Sequence, residues 1–99
     1  MPGTVPTVTR LSASTSQQTL VAANQNRKGL IVYNHSGEDL YILFGTGINI
    51  GAGTENFTEK IPTNWQGRIQ WGENYTGQIT CMWAAEDATG CALVTELTG

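Results

Sequence analysis

Catalytic and metal-binding side chains are scarce in this 99-residue sequence, which has one histidine, His35, and two cysteines, Cys81 and Cys91. Zinc requires three or four ligands, so two thiols and one distant imidazole do not make a site. Charge is scarce as well. Charged residues make up 13% of the chain, well below the share usual in globular domains. The five basic residues, Arg10, Arg27, Lys28, Lys60 and Arg68, are scattered, and only Arg27 and Lys28 are adjacent. Phosphate backbones are bound by clustered cations, because counterion release supplies most of the affinity. With a pI near 4.8, no nucleic-acid partner is expected. Long apolar runs are missing too: the longest, Leu40–Phe44, is far short of the roughly 20 residues that span a bilayer. The first six residues, Met-Pro-Gly-Thr-Val-Pro, lack the charged and apolar regions of a signal peptide. The chain therefore reads as soluble, made in a cytosol and without a membrane partner.

What is present is Thr, Asn, Gln, Ser and Gly around eight short apolar runs. Disorder goes with low hydrophobicity and high net charge, whereas this chain is 39% apolar with a net charge of −3, so it should fold. Its length gives one domain with a thin core, whose stability partners would raise noticeably.

Residues 1–18 carry Pro2, Gly3 and Pro6 and then a serine-rich stretch. They read as an extended N-terminal arm that a neighbour could order, with Val8 and Leu11 able to pin a short strand. Residues 19–99 read as the folded domain. Residues 17–23 suit a capped short helix or a strand, the strand being favoured. Leu30, Ile31, Val32 and Tyr33 form a continuous apolar run of high β-propensity. With Leu40–Phe44 and the intervening turn residues at 35–38, this run is expected to form a central hairpin. The glycine-rich segment 45–54 is too long for a tight turn and is expected to cross between sheets. Residues 57–61 suit an edge strand ended by Pro62. Alternation continues through Ile69 and Trp71, then through Ile79, Cys81 and Trp83, and again over 92–97. The pattern predicts an all-β fold, a small antiparallel two-sheet β-sandwich of jelly-roll type. A five-stranded, partly open barrel is the rival.

His35 lies beside Ser36 and Asp39 in a predicted turn. A nucleophile and base there would be open to water, so the imidazole reads as a solvated turn residue and no catalytic residue is assigned. The pairs Glu38-Asp39 and Glu86-Asp87 read as solvated loop charge. No calcium loop or phosphate-cradling loop is present, and no cofactor is expected. Cys81 and Cys91 could bridge a hairpin if their Cα atoms came within about 7 Å. In a reducing compartment they read instead as small buried hydrophobes. Asn-x-Ser/Thr triplets at Asn34, Asn56 and Asn74 arise easily in this composition. Trp65, Trp71 and Trp83 with Tyr33, Tyr41 and Tyr75 could make a sugar-stacking platform, but most lie on alternating apolar faces and read as core. Trp65, flanked by Asn64 and Gln66, is the one expected at the surface, where a tryptophan serves a protein or a glycan partner alike.

Two stretches resemble small virion proteins of tailed bacteriophages. One runs from Asn26 through Arg27, Gly29, Leu30 and Tyr33 to Asn34, and leads into Leu40, Tyr41, Ile42 and Gly45. The other begins at Tyr75, Gly77 and Ile79, passes Trp83, Thr89 and Gly90, and ends at Val94 and Glu96. The resemblance implies a capsid decoration or cement protein on the outer surface of the head, with the major capsid protein as partner. It places the chain on the virion, and in the host cytoplasm during assembly. Partner contacts are then expected from the arm, at Val5, Val8, Arg10 and Leu11, and from Trp65. A homo-oligomer is expected too, a dimer being the simplest and a trimer the alternative. The competing expectations are a tail, neck or fibre component and a surface glycan-binding module.

Overall fold

The computed structural model describes residues 5–70 and 75–99, with side chains except over 66–70. Pro2, Gly3, Trp71 and Asn74, singled out above, lie outside the described residues. Among the described residues there are eight strands and no helix. They are β1 (Val5–Ala13), β2 (Gln18–Val21), β3 (Arg27–His35), β4 (Leu40–Phe44), β5 (Glu59–Ile61), β6 (Gln66–Gln70), β7 (Ile79–Trp83) and β8 (Asp87–Thr98). Two four-stranded antiparallel sheets result, ordered β1-β8-β3-β6 and β2-β7-β4-β5. The all-β, two-sheet expectation is therefore met, and one five-stranded barrel is not what forms.

The pairing follows a simple rule. The chain behaves as one long hairpin turning between β4 and β5, with β4 on β5, β3 on β6, β2 on β7 and β1 on β8. Two further ladders, β8 on β3 and β7 on β4, join these pairs into sheets.

The expected hairpin between β3 and β4 does not form, because the two strands belong to different sheets. Each has an apolar inner face, and the chain buries those faces against one another. Leu30 and Val32 of β3 with Ala92 and Val94 of β8 meet Leu40 and Ile42 of β4 with Ile79 and Trp83 of β7 in one core cluster. Linker 36–39 thus makes the crossing between sheets. Residues 45–54, expected to cross, instead connect β4 to β5 within the second sheet.

The N-terminal segment also differs from expectation. Val5–Ala13 is extended, but it is fixed to its own body as the edge strand beside β8, in register from Val5 opposite Thr98 to Ser12 opposite Cys91. Threonine and valine at alternate positions give it the β-propensity to do so. Leu11 and Ala13 turn into the core, while residues 5–10 are exposed.

Two buried polar side chains tie the sheets together. Asn34 of β3 is fully buried. Its Nδ2 donates to the carbonyls of Glu38, Ile61 and Pro62 at 2.8, 3.0 and 3.2 Å. Its Oδ1 accepts from Trp83 Nε1 at 3.1 Å and from the Ser36 hydroxyl at 2.7 Å. At the opposite end of β3, Arg27 pairs with Glu96 at 2.8 Å and donates to the carbonyls of Tyr75, Gly77 and Ala22. Such charges are tolerated inside only when paired and hydrogen-bonded.

The turn before β8 is closed by Asp87, which accepts from the amides of Gly37 at 2.8 Å and Thr89 at 3.2 Å. It is therefore not merely solvated loop charge, as the sequence suggested. Gly90 must lack a side chain there, since a Cβ would stand 2.6 Å from both the Asp87 carboxylate and Ser36 Cβ.

Asn34→Leu should lower unfolding free energy by about 3 kcal/mol, because Trp83, Ser36 and three carbonyls lose their partner together. A urea midpoint that moves less than half as far would contradict that role. The amides of Gly37 and Thr89 hold the Asp87 carboxyl below its ordinary value. A carboxylate depressed in the folded state stabilises above the unfolded value of about 4, and that contribution disappears as pH falls through the lowered folded value. Asp87→Asn should accordingly flatten the acid limb of a stability-against-pH curve, and an unaltered limb would show that the contact is not formed.

Candidate binding surface

The side chains that could have formed a catalytic set turn to separate partners. His35 ends β3, is exposed, and stacks on Tyr33 with ring centroids 5.5 Å apart. Ser36 is buried, its hydroxyl engaged with Asn34 and Glu38, and Asp39 pairs with Lys60 at 3.5 Å. Among the described residues no cluster of three metal-ligating side chains occurs, and no ligand-sized cavity opens. Cys81 and Cys91 are free and buried, in β7 of one sheet and β8 of the other. Burial pushes the Cys81 thiol up to about 12, and since the thiolate is the nucleophile, this cysteine is inert in the folded chain. Asn34, within one of the glycosylation triplets, is likewise buried.

The outer face of the first sheet is a broad exposed surface. Side chains of paired residues lie on the same face of a sheet, and successive residues alternate. The register places Val8 beside Thr95 and Ile31, and Arg10 beside Leu93 and Tyr33. Pro6 and Leu97 extend the same face. Val8 is 64% exposed and Leu93 36%, so this face is apolar in patches although water covers it. Arg10 is the only charge on β1. A partner over β1 and β8 would meet the aliphatic groups of Pro6, Val8, Leu93 and Leu97 and the Thr95 hydroxyl, with Arg10 the charge to desolvate.

Of the side chains expected to contact a partner, Val5, Val8 and Arg10 are exposed on β1, while Leu11 packs against the core and holds that strand to the body. Trp65 is 65% exposed. It follows Asn64, whose φ of 58° is the left-handed conformation that asparagine tolerates in turns. Its carbonyl accepts from the Asn34 amide at 2.8 Å, which anchors the loop beneath the ring.

The described aromatics do not gather into one platform. Tyr33 lies on the outer face of the first sheet beside His35, Tyr41 packs edge-on against Phe57, and Tyr75 stacks on Phe44. Trp83 is wholly inside. Leu93, Leu97 and Pro6 were not expected from the sequence to share an exposed face. The signal that points to them is the two-sided apolarity of 91–97, where Ala92 and Val94 serve the core and Leu93 and Leu97 are left over.

No family model matches this chain, and no match is found among curated proteins or solved structures.

Proposed function

We propose that the chain is a non-enzymatic structural protein of a tailed-bacteriophage virion, a decoration or cement protein seated on the outer surface of the head. Its partner is the major capsid protein, whose neighbouring subunits it bridges and so stabilises. The observation that carries this reading is the β1–β8 part of the first sheet's outer face, where exposed Val8 and Leu93 flank Arg10, the one charged residue of β1. Apolar surface with few charges is what the centre of a protein interface needs.

Two further supports agree with it. The strand order β1-β8-β3-β6 and β2-β7-β4-β5 supports reading the sandwich as a jelly roll, an architecture frequent in viral capsid proteins. The residues around β3 and β7–β8 resemble small virion proteins, as described above. Val5, Val8, Arg10 and Trp65 make the contacts, and Leu11 anchors the contacting strand. Many copies on one shell turn weak contacts into durable attachment, since a copy held at one point meets its second site at an effective concentration on the order of mM.

Leu93→Glu should reduce occupancy of purified heads by at least about tenfold, a loss of roughly 1.4 kcal/mol per copy, with the thermal midpoint of the free protein nearly unchanged. Full occupancy by this variant would overturn the assignment of the face. Gold labelling of particles that marks tails, necks or fibres and leaves heads bare would overturn the assignment of the head. Retained binding of Leu93→Glu combined with loss of binding in Trp65→Ala would move the contact to the β5–β6 loop and favour a glycan or another ligand there.

A further inference from the structure

β1 leaves one long backbone edge open. It runs for nine residues at the border of its sheet, while β2 and β5, the borders of the other sheet, have four and three. Along an antiparallel strand the N–H and C=O of one residue point to the same side, and the side alternates with each residue. Two observations say which residues of β1 point away from β8. Pro6 has no N–H, and a strand accommodates proline where the missing donor would face outward. The Ser12 carbonyl, of the same parity, accepts from Gln18 Nε2 at 2.9 Å. Pro6, Val8, Arg10 and Ser12 therefore present their backbone groups outward.

We propose that β1 pairs antiparallel with β1 of a second copy about a two-fold axis through Thr9, giving a homodimer with one continuous sheet across both copies. Thr9 is the midpoint of Val5–Ala13, so this register uses the whole strand. Val8 meets Arg10 of the second copy, with a bond in each direction. Pro6 meets Ser12 of the second copy, and the donor that Pro6 lacks is the one Ser12 does not need, because Gln18 already occupies that carbonyl. The Ser12 amide still donates to the Pro6 carbonyl. An axis through Arg10 would set like charges opposite each other, which is unfavourable. An axis through Val8 would set Pro6 against Arg10 and leave the Arg10 carbonyl without a donor. Val5 and Val8, 58% and 64% exposed, gain Ala13 and Arg10 of the second copy as cross-strand neighbours.

This association belongs to the purified chain and does not rest on the virion reading. Sedimentation velocity from about 1 to about 500 µM should show a shift from the chain mass to twice that mass, as expected for a small interface of micromolar strength. Val8→Pro removes one ladder donor per copy and should weaken the dimer at least about tenfold, with circular dichroism and thermal midpoint retained. The register is read separately. In a non-hydrogen-bonded pair the two Thr9 Cα atoms stand about 4.5 Å apart, within disulfide reach. Two Thr7 residues would stand roughly 14 Å apart. Thr9→Cys should therefore form a covalent dimer in oxidised glutathione, which is reduced to two thiols as the bond forms, while Thr7→Cys should not. A wild-type chain that stays monomeric throughout, a trimer, or equal cross-linking of the two cysteine variants would each overturn the proposal.

Discussion

The burial of the Asn34 carboxamide is the constraint on which the rest of the structure depends. A primary amide taken out of water must keep its hydrogen bonds or cost several kcal/mol. Here it keeps them by gathering Trp83 from the opposite sheet, Ser36 and Glu38 from the crossing linker, and the end of β5. One side chain thereby fixes where β3 ends, how the chain passes between sheets, and how far apart the sheets stand. Apolar packing alone would leave such a thin core free to slide, because the hydrophobic effect has no direction.

Arg27 performs the matching task at the other end of β3. Its guanidinium meets Glu96 on β8 and three carbonyls from the segments flanking β2 and β7. With both ends of the central strand pinned, β8 is held along its length, and β1 on β8 becomes a firm ledge instead of a loose arm. A ledge of this kind has consequences for binding. A pre-ordered strand loses little conformational entropy when it meets a partner, so a modest apolar face is enough. The outer face of the sheet and the open edge of β1 point in different directions, which allows one to meet a larger assembly and the other a second copy.

Much of the fold was legible from alternation. The inward set Ile79, Cys81 and Trp83 is buried as its spacing required, the short strand after Ser16 exists, and Trp65 is at the surface. Partner choice among strands was not legible. Turn residues at 35–38 suit a tight hairpin and a crossing between sheets equally well, and what decides is the burial of both inner faces, a property of the whole chain. The roles of Asn34 and Arg27 were not legible for a related reason: each has a side chain that sequence statistics place outside, and most of their partners are backbone carbonyls, which no sequence pattern reveals. Residues 1–18 read as an arm because Pro2, Gly3, Pro6 and the serines outweighed the alternating threonines and valines. Proline, however, is compatible with a border strand. The proposed contact face was half visible, in the leftover apolar residues of β8, but their neighbours on β1 and β3 are brought beside them only by the register.

An internally bonded body thus presents the long outer backbone edge of β1 unpaired. Amide hydrogen exchange resolved by residue tests it most directly, since protection reports whether each N–H is bonded. In dilute protein, the amides of Leu30, Val32 and Ile42 should exchange slowly, while those of Val8, Arg10 and Ser12 exchange nearly as fast as an unfolded peptide and slow down as concentration rises. Strong protection of Val8, Arg10 and Ser12 at high dilution, or fast exchange in the core strands, would contradict the account.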